Sequence, residues 1–509
     1  MRMSGKTDLT QGPIAKKLIL FALPIVTGNI IMQLYNVADS IIVGQFVGSD
    51  ALAAVALSFP IMMLFNSIFI GLSMGANILI SQYRGAQNFE ALERGVNTTY
   101  TLCLILGGVI TVLGLILTRP LLILLGTPAN ILDDSTLYLT IVFIGTIGNI
   151  SFNLSNGLTR GLGDSRWPLY ALTISSVMNI LLDLLFVIVF GWGVAGVAAA
   201  TTISHIAAGL ILMMRFVRGK YGFHLSISGM RNIDKTAVRL IFKLGIPTSV
   251  QNGAMSLGMV IIQSLANNFG SNFIAASGII MRVDGFVIMP LLGLGMAITT
   301  FVGQNIGAGN VERAKKGTYT AMLIVGGIAV VFGFTLYNFG IYLMRAFTGN
   351  QLVLEMGLNG IRFIAFLYGF MGINQCVGGA IRGAGDANVP AATTIMGNLI
   401  RIPIAYLLAV RPMYKDIDNA VSAGLFATRE LAKAAGIGLE HYMGIFYSMG
   451  FSMIIGASLI MLYFFFGKWQ TKGLATRGPH SRGPQGGGLQ GQDTQGPKDT
   501  GPQDRGPRQ

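Results

Sequence analysis

Two carboxylates interrupt long apolar segments of this sequence. Asp39 lies in MQLYNVADSIIVGQFVG, which begins at Met32, and Asp183 lies in SSVMNILLDLLFVIVFGWG. An ionisable side chain in such a segment is costly to bury, which makes both residues candidates for function. If they face each other in a medium of low dielectric constant, both cannot stay charged, so the pair would store a proton near physiological pH.

Two neutral polar residues accompany these acids. Asn179 precedes Asp183 by four residues and shares its helix face, and Thr201 lies in the next apolar segment. Counted from the glycines that end the three segments, Asp39, Asp183 and Thr201 each lie roughly 12 Å below one surface. We therefore expect a cluster of Asp39, Asn179, Asp183 and Thr201 that takes H⁺ or, through its hard oxygens, Na⁺. The alternative is ordinary interhelical hydrogen bonding.

The first apolar segment carries further polar residues. Asn29, Gln33 and Asn36 recur at helical spacing, so they share one face, and Asp39 extends this stripe. Together with Tyr35, these residues are predicted to line a substrate pocket.

Five other polar residues lie in apolar segments. Arg282, Asp284 and Arg401 are expected to form a buried ion pair that fixes helix packing, or else Asp284 is an anionic anchor for a cationic substrate. His205 lies four residues after Thr201 and is expected to pack, with a proton relay as the alternative. Thr202 joins His205 at the edge of the predicted ion cluster.

Two prolines lie at equivalent places in apolar segments. Pro24 and Pro247 each remove a backbone hydrogen bond and permit a kink, so both are predicted hinges. We expect protonation of Asp39 to change the bend at Pro24.

The composition is that of a polytopic membrane protein. The 509 residues are 52% hydrophobic and 11% charged, with mean hydropathy +0.63, whereas soluble domains carry roughly 25% charged residues. The net charge of +14 resides in the loops and the tail, which argues against nucleic-acid binding. Cys103 and Cys376 both lie in apolar runs and support neither a disulfide framework nor a metal site.

Apolar runs of about 20 residues predict an all-α protein with twelve transmembrane helices. Basic residues are concentrated in alternate loops, which predicts that both termini face the cytoplasm. The predicted spans are 18–44, 52–78, 96–118, 136–157, 168–190, 194–215, 240–267, 273–300, 317–343, 355–378, 389–410 and 443–467.

The sequence is duplicated. GLSMGANILISQYRGAQNFEALERG at Gly71 matches GLGMAITTFVGQNIGAGNVERAKKG at Gly293, and TRGLGD matches IRGAGD, both with an offset of about 222 residues. Because six spans are even in number, the two six-helix bundles have the same polarity and form parallel pseudo-symmetric repeats. The predicted parts are a cytoplasmic N-terminus (1–17), an N-terminal half (18–215), a cytoplasmic linker (216–239), a C-terminal half (240–467) and a disordered Gly/Pro/Gln-rich tail (468–509).

The second half lacks the acids of the first. In the repeat alignment Asp39 pairs with Ile261 or Ile262, Asn179 with Arg401 and Asp183 with Ala405. The sequence therefore predicts a single ion site, in the N-terminal half.

Twelve spans in two halves, Pro24, YNVADSIIVGQFVG and the duplicated RGxGD loops resemble the multidrug and toxic compound extrusion (MATE) transporters over about residues 10–470. The detail is similar to the bacterial DinF-like branch, which includes MepA-type exporters. The resemblance assigns the N-terminal cation site to Asp39, Asn179, Asp183 and Thr201. It adds Tyr138, Asn153 and Asn156 as network positions.

The resemblance implies a function. Such transporters export amphipathic, often cationic compounds against an inward flow of H⁺ or Na⁺. The expectation is therefore a multi-pass protein of the bacterial cytoplasmic membrane that is monomeric, contacts lipid and small amphipathic substrates, and uses no cofactor. The acids that bind sodium in the NorM-like branch are replaced here, by rough alignment, by Met255 and Met371.

Two other functions agree less well with the sequence. A lipid-linked oligosaccharide flippase of the same wider superfamily would need a cationic cavity, whereas this chain places acids in its first half. A membrane-embedded enzyme is disfavoured because the sequence shows no paired acidic motif, metal-ligand cluster or nucleophile with its base. The sequence has no Walker motif, so ATP is not expected to drive transport directly.

Overall fold

The computed structural model describes residues 8–473, and the predicted disorder of the tail beyond residue 473 lies outside this range. The first half contains seven helices: α1 (Ile14–Ile42), α2 (Ser49–Gly85), α3 (Phe89–Leu124), α4 (Ala129–Ile144), α5 (Thr146–Gly161), α6 (Arg166–Asp183) and α7 (Gly193–Val217). Short π-helical turns, Val43–Val47 and Leu184–Val189, extend α1 and α6. A short helix, α8 (Ile227–Arg231), lies in the linker.

The second half repeats this order with an insertion near its end. Its helices are α9 (Lys235–Ala266), α10 (Gly270–Gly307), α11 (Val311–Arg345), α12 (Gln351–Ala365), α13 (Tyr368–Gly383), α14 (Asn388–Ala405), α15 (Arg411–Ser422), α16 (Arg429–Ala434) and α17 (Met443–Phe466). A π-helical turn, Tyr406–Val410, extends α14. The insertion comprises α15, α16 and the 3₁₀ turn Leu439–Tyr442.

These helices confirm the predicted twelve-span, all-α architecture. Nine helical stretches of the described chain are apolar and long enough to cross a membrane, and two bent pairs, α4 with α5 (52°) and α12 with α13 (45°), each make one further span. The longest stretch, Lys235–Gly307, contains both α9 and α10, which meet at the turn Asn267–Phe269. Most helices begin a few residues before the predicted spans, because the polar residues at these ends continue the helix.

The two ends of the bundle differ in the loops they carry. One end, called the basic face below, carries residues 8–13, the turns at 85–89, 161–166, 307–311 and 383–388, and the linker. Hydrogen bonds tie the linker to α3: Asp234 N donates to Thr98 Oγ1 (3.0 Å), and Thr101 Oγ1 donates to Met230 O (2.7 Å). The predicted linker is therefore packed against the first half.

The first helix of each half packs across the boundary between the halves. Leu18, Phe21 and Ile25 of α1 belong to the apolar core of the second half, and Ala237 and Ile241 of α9 belong to that of the first. Farther along its length, α1 packs against α6 of its own half. Helix α1 therefore connects the second-half core to the predicted ion cluster.

The ordered chain extends past the predicted start of the tail. The sequence predicts disorder from residue 468 onwards, but Trp469–Thr471 form a 3₁₀ turn. The Trp469 ring is fully buried and stacks on Phe464 at 5.1 Å, and its Nε1 donates to Phe464 O (2.8 Å). This correction arises because a single large apolar side chain anchors a polar segment, which segment composition does not reveal.

Candidate ion and substrate site

The structure brings the two predicted carboxylates together. Asp39 lies near the end of α1 and Asp183 is the last residue of α6, and their side chains are within hydrogen-bonding reach of each other. Asp183 is fully buried, and Asp39 is partly exposed. Oδ1 of each is buried and accepts no hydrogen bond from residues 8–473. Since two adjacent carboxylates cannot both stay charged in this medium, the pair suits a shared proton or a bound cation.

Asn179 and Thr201 complete the predicted cluster. With its amide nitrogen facing Asp183, Asn179 donates to Asp183 Oδ2 (2.9 Å), and its oxygen accepts from Thr201 N (3.2 Å). Both side chains are buried. The amide therefore holds Asp183 in place and connects α6 to α7.

Two tyrosines surround the carboxylates. Tyr35 lies one helical turn before Asp39, and its side chain lies close to those of Thr201, Asp39 and Asp183. Tyr138 of α4 is buried within electrostatic range of Tyr35, Asp39 and Asp183. The structure thus places Tyr35 in the ion cluster, although the sequence assigned it to the substrate pocket. Its spacing of four residues from Asp39 was the signal that could have indicated this.

The remaining network residues lie elsewhere. Thr202 Oγ1 donates to Ile141 O (3.3 Å), so it joins α7 to α4. His205 lies one turn after Thr201 on the same helix. Asn153 of α5 donates to Asn149 O (3.0 Å). Asn156 also lies on α5, beyond the bend that separates this helix from Tyr138.

The polar stripe of α1 separates into two faces. At 100° per residue, Asn29, Gln33 and Asn36 cluster on one side of the helix, and Asp39 lies nearer to Tyr35. Asn36 is exposed, and Asn29 and Gln33 are partly exposed. The expectation that Asp39 simply extends the stripe is thus corrected: Asp39 turns towards α6, and the amides remain accessible beside it.

In the second half, Asp284 lies in a different environment from Asp39. The Tyr368 hydroxyl donates to Asp284 Oδ1, and the charge of Arg401 acts on the same carboxylate. Arg282 is exposed, and its guanidinium lies 5.8 Å from the centre of the Phe347 ring. The predicted group of three charges is therefore reduced to Asp284 and Arg401, with Tyr368 as a partner that the sequence analysis missed.

Both RGxGD loops bind side chains from neighbouring segments. Asp164 Oδ1 accepts from Arg166 N (3.2 Å) and Trp167 N (3.4 Å) at the start of α6, and its Oδ2 accepts from the Tyr221 hydroxyl (3.1 Å). Burial raises the pKa of Tyr221, and the charge of Asp164 raises it further, so this hydroxyl remains a donor. In the second loop, Asp386 Oδ2 accepts from the Tyr463 hydroxyl (2.8 Å). We interpret these contacts as structural, because they hold each loop against neighbouring segments of the fold.

The insertion before α17 holds a group that sequence reasoning missed. Ligand atoms of Asp416, Glu440 and His441 lie within 4.8 Å of one another. His441 Nε2 and Asp416 Oδ2 are 2.7 Å apart and form an ion pair when the imidazole is protonated, and Glu440 is exposed. The adjacent Glu440 and His441 were the only sequence signal. The group lies on the face opposite the basic face and has no contact with the Asp39–Asp183 pair.

The two predicted hinges lie inside continuous helices. Pro24 is within α1 and Pro247 within α9. Both are in the parts of these helices that cross the boundary between the halves, so a change of bend there would move one half relative to the other.

Sequence comparison associates the chain with bacterial transporters. The family model described as MatE matches residues 24–185 and 247–407, one segment in each half. A "Probable multidrug resistance protein YoeA" of Bacillus subtilis is 32% identical over 404 residues, which are 77% of this chain and 87% of the relative. The "Multidrug export protein MepA" of Staphylococcus aureus is 22% identical over 398 residues, 78% of this chain and 88% of the relative.

The fold has solved counterparts. One structure, described as the outward-facing conformation of a multidrug resistance MATE family transporter of the MOP superfamily, superposes with a TM-score of 0.80. The match is 23% identical in sequence and covers 91% of this chain and 98% of the other. It shows a common arrangement of the helices.

Proposed function

The chain belongs to the MATE family of membrane transporters, and from that premise we propose that it exports amphipathic, often cationic compounds in exchange for an inward-moving cation. The observation that carries this proposal is the Asp39–Asp183 pair, which lies inside the bundle and has buried oxygens that accept no hydrogen bond from the described residues. The names of the Bacillus and Staphylococcus relatives support multidrug export as the activity.

We propose H⁺ as the coupling ion. One proton shared between Asp39 and Asp183 removes the repulsion between two close carboxylates. Sodium would need several oxygens directed at one point, but the oxygen of Asn179 already accepts from Thr201 N, and its nitrogen faces Asp183. Coupling to Na⁺ is the alternative outcome of the test below.

Exchange follows from the charge of the pair. When the pair holds one shared proton, its remaining negative charge beside the amides of α1 favours a cationic substrate. Binding of a second proton neutralises the pair, removes this attraction and favours release. The ion and the substrate drive alternating access only if each binds the two conformations with different affinity.

The substrate is proposed to contact the accessible face of α1. Asn29, Gln33 and Asn36 offer hydrogen bonds there without a fixed charge. Asp284 is a poorer anchor because it is bonded by Tyr368 and lies in the field of Arg401. We assign Asp284 and Arg401 to helix packing.

The orientation follows from the loop charges. The basic face carries the first described residues and the linker, with its many Lys and Arg residues. By the positive-inside rule we place this face in the cytoplasm, with both termini. We propose a monomer in the bacterial cytoplasmic membrane that works without a cofactor.

The test uses purified protein in proteoliposomes loaded with ethidium, an amphipathic cation. We expect a pH gradient, but not a Na⁺ gradient, to drive transport by the wild type, and Asp39→Asn to abolish this coupling. Asp50→Asn is the matched control, because Asp50 is an exposed acid at the start of α2. If Asp39→Asn still couples transport to either gradient, the proposed role of the pair is wrong.

A further inference from the structure

The two halves touch at a crossing of α2 and α10 on the basic face. A Cβ added to Gly85 of α2 would fall on the backbone oxygen of Gln304 in α10, and a Cβ added to Gly307 would fall on that of Gln82. Each pair is related to the other by the repeat offset of 222 residues. The crossing is therefore a pseudo-symmetric contact in which the backbones approach as closely as glycine permits.

The same two glutamines reach across the crossing. Gln82 Nε2 donates to Gly383 O (2.8 Å), and Gln304 Nε2 donates to Gly161 O (3.0 Å). Both glutamine side chains are fully buried. Each bond joins opposite halves, because Gln82 lies in the first half and its acceptor in the second, and the reverse holds for Gln304.

The acceptors are helix ends. Gly161 is the last residue of α5 and Gly383 the last of α13, and each is the glycine after the arginine of an RGxGD motif. A terminal carbonyl lacks a partner within its own helix. The glutamine of the opposite half provides that partner. Separation of the halves would therefore break both hydrogen bonds and leave the two carbonyls and the two amides without these partners.

A second layer of contacts surrounds this crossing. Asn77 Nδ2 and Thr300 Oγ1, also from α2 and α10, are 3.1 Å apart and buried. The N-terminal segment covers Gln304 from the loop side, since Leu9 N donates to Gln304 Oε1 (3.1 Å) and Leu9 is buried. Gln304 thus joins α5, α10 and the N-terminal segment.

We propose that Gln82 and Gln304 are the positioning residues of the gate on the basic face. Their two reciprocal hydrogen bonds form only while the halves are closed there, so they set the balance between the closed and open conformations. The inference rests on the alternating access of the proposed function. It adds to that function the residues that hold the gate shut during release on the opposite side.

The magnitude follows from the number of bonds lost. Hydrogen bonds between helices in membranes are weak individually, and two of them together shift a two-state equilibrium by about tenfold. Loss of both glutamine amides is therefore expected to increase the open population about tenfold, and loss of one about threefold.

The test measures exposure rather than transport. A reporter cysteine replaces Ile78, which is fully buried between the halves against Leu244 and Ala387, in a chain whose native Cys103 and Cys376 are alanine. Membrane-impermeant maleimide is added to inside-out vesicles. We expect Gln82→Met with Gln304→Met to raise the labelling rate about tenfold.

The matched control is Gln251→Met. Gln251 is also buried, but its Nε2 donates to Thr394 Oγ1 (2.9 Å) within the second half. Its loss is expected to leave labelling unchanged. Gln82→Asn with Gln304→Asn provides a second variant, since the shortened amides cannot reach their acceptors, and it replaces the Met variant if that one does not fold.

An unchanged labelling rate in a folded double variant would overturn the gate proposal, as would an equal increase in Gln251→Met. The result is independent of the coupling experiment. If labelling rises as expected while neither gradient drives ethidium transport by the wild type, the gate stands and the proposed exchange fails. If the wild type exchanges ethidium for H⁺ and the labelling rate does not change in the variants, the proposed exchange stands and the gate proposal fails.

Discussion

Replacement of Asp164 by alanine should destabilise the protein much more than the same change at its repeat equivalent, Asp386. Asp164 is buried and accepts from two backbone amides at the start of α6 and from Tyr221. It also lies 3.8 Å from Arg215. Asp386 accepts from Tyr463, and Lys472 lies 3.7 Å away. The two positions therefore offer a matched comparison within one chain.

The expected magnitudes come from these contacts. Loss of the acceptor at the start of α6 costs about 1 kcal/mol, and loss of a charged acceptor for a buried hydroxyl costs about 2 kcal/mol. Asp164→Ala should thus lose about 3 kcal/mol, and the partly buried Arg215 pair adds little. At Asp386, Tyr463 is partly exposed and can bond water instead, so Asp386→Ala should lose about 1 kcal/mol.

The assay is reversible unfolding in mixed detergent micelles, followed by tryptophan fluorescence. Trp167 is a local probe, because the Arg215 guanidinium lies 4.0 Å from its ring centre. A difference of about 2 kcal/mol is a change of about 30-fold in the unfolding equilibrium. If Asp164→Ala loses no more stability than Asp386→Ala, the structural role assigned to the first loop is refuted.

Two further predictions concern stability. Trp469→Ala should lower the free energy of unfolding by about 3–5 kcal/mol, because the ring is fully buried on Phe464. In the same chemical denaturation assay, the control Trp192→Ala should lose less than about 1 kcal/mol, because its side chain is 53% exposed. Similar losses in the two variants would contradict the packing of residues 468–473. Arg401→Met and Asp284→Leu should each destabilise the protein by about 1–3 kcal/mol, because each removes the opposite charge that acts on the remaining one. The double variant should lose less than the sum of the two single losses. Additive losses in a double-mutant cycle would contradict the coupling of the two residues.

Much of the fold could be predicted because hydropathy is a local property. A membrane span consists of about 20 consecutive apolar residues, so it can be recognised in the sequence directly. A duplication can be recognised by a constant offset between matching segments. The bends between α4 and α5 and between α12 and α13 were not predicted. They depend on how the helices pack. Asn153 and Asn156 lie beyond the first bend, 15 and 18 residues after Tyr138.

Depth in the membrane was easier to predict than direction around a helix. Counting from the segment ends placed Asp39, Asp183 and Thr201 at one level, and the structure brings these residues together. The same count gave no information on which side of α1 faces α6. Tyr35 was therefore assigned to the substrate pocket, although its side chain lies beside Asp39, Asp183 and Thr201.

The sequence by itself determined the class of protein, its two halves and the asymmetry between them. Those properties follow from residue types at given positions. The asymmetry, for example, is seen where the first half has Asp183 and the equivalent position of the second half has Ala405. Only the tertiary structure decided which polar groups meet: Asp284 with Tyr368, Trp469 on Phe464, and Gln82 and Gln304 with helix ends of the opposite half. Such contacts join residues up to about 300 positions apart, and their geometry is set by the packing of whole helices.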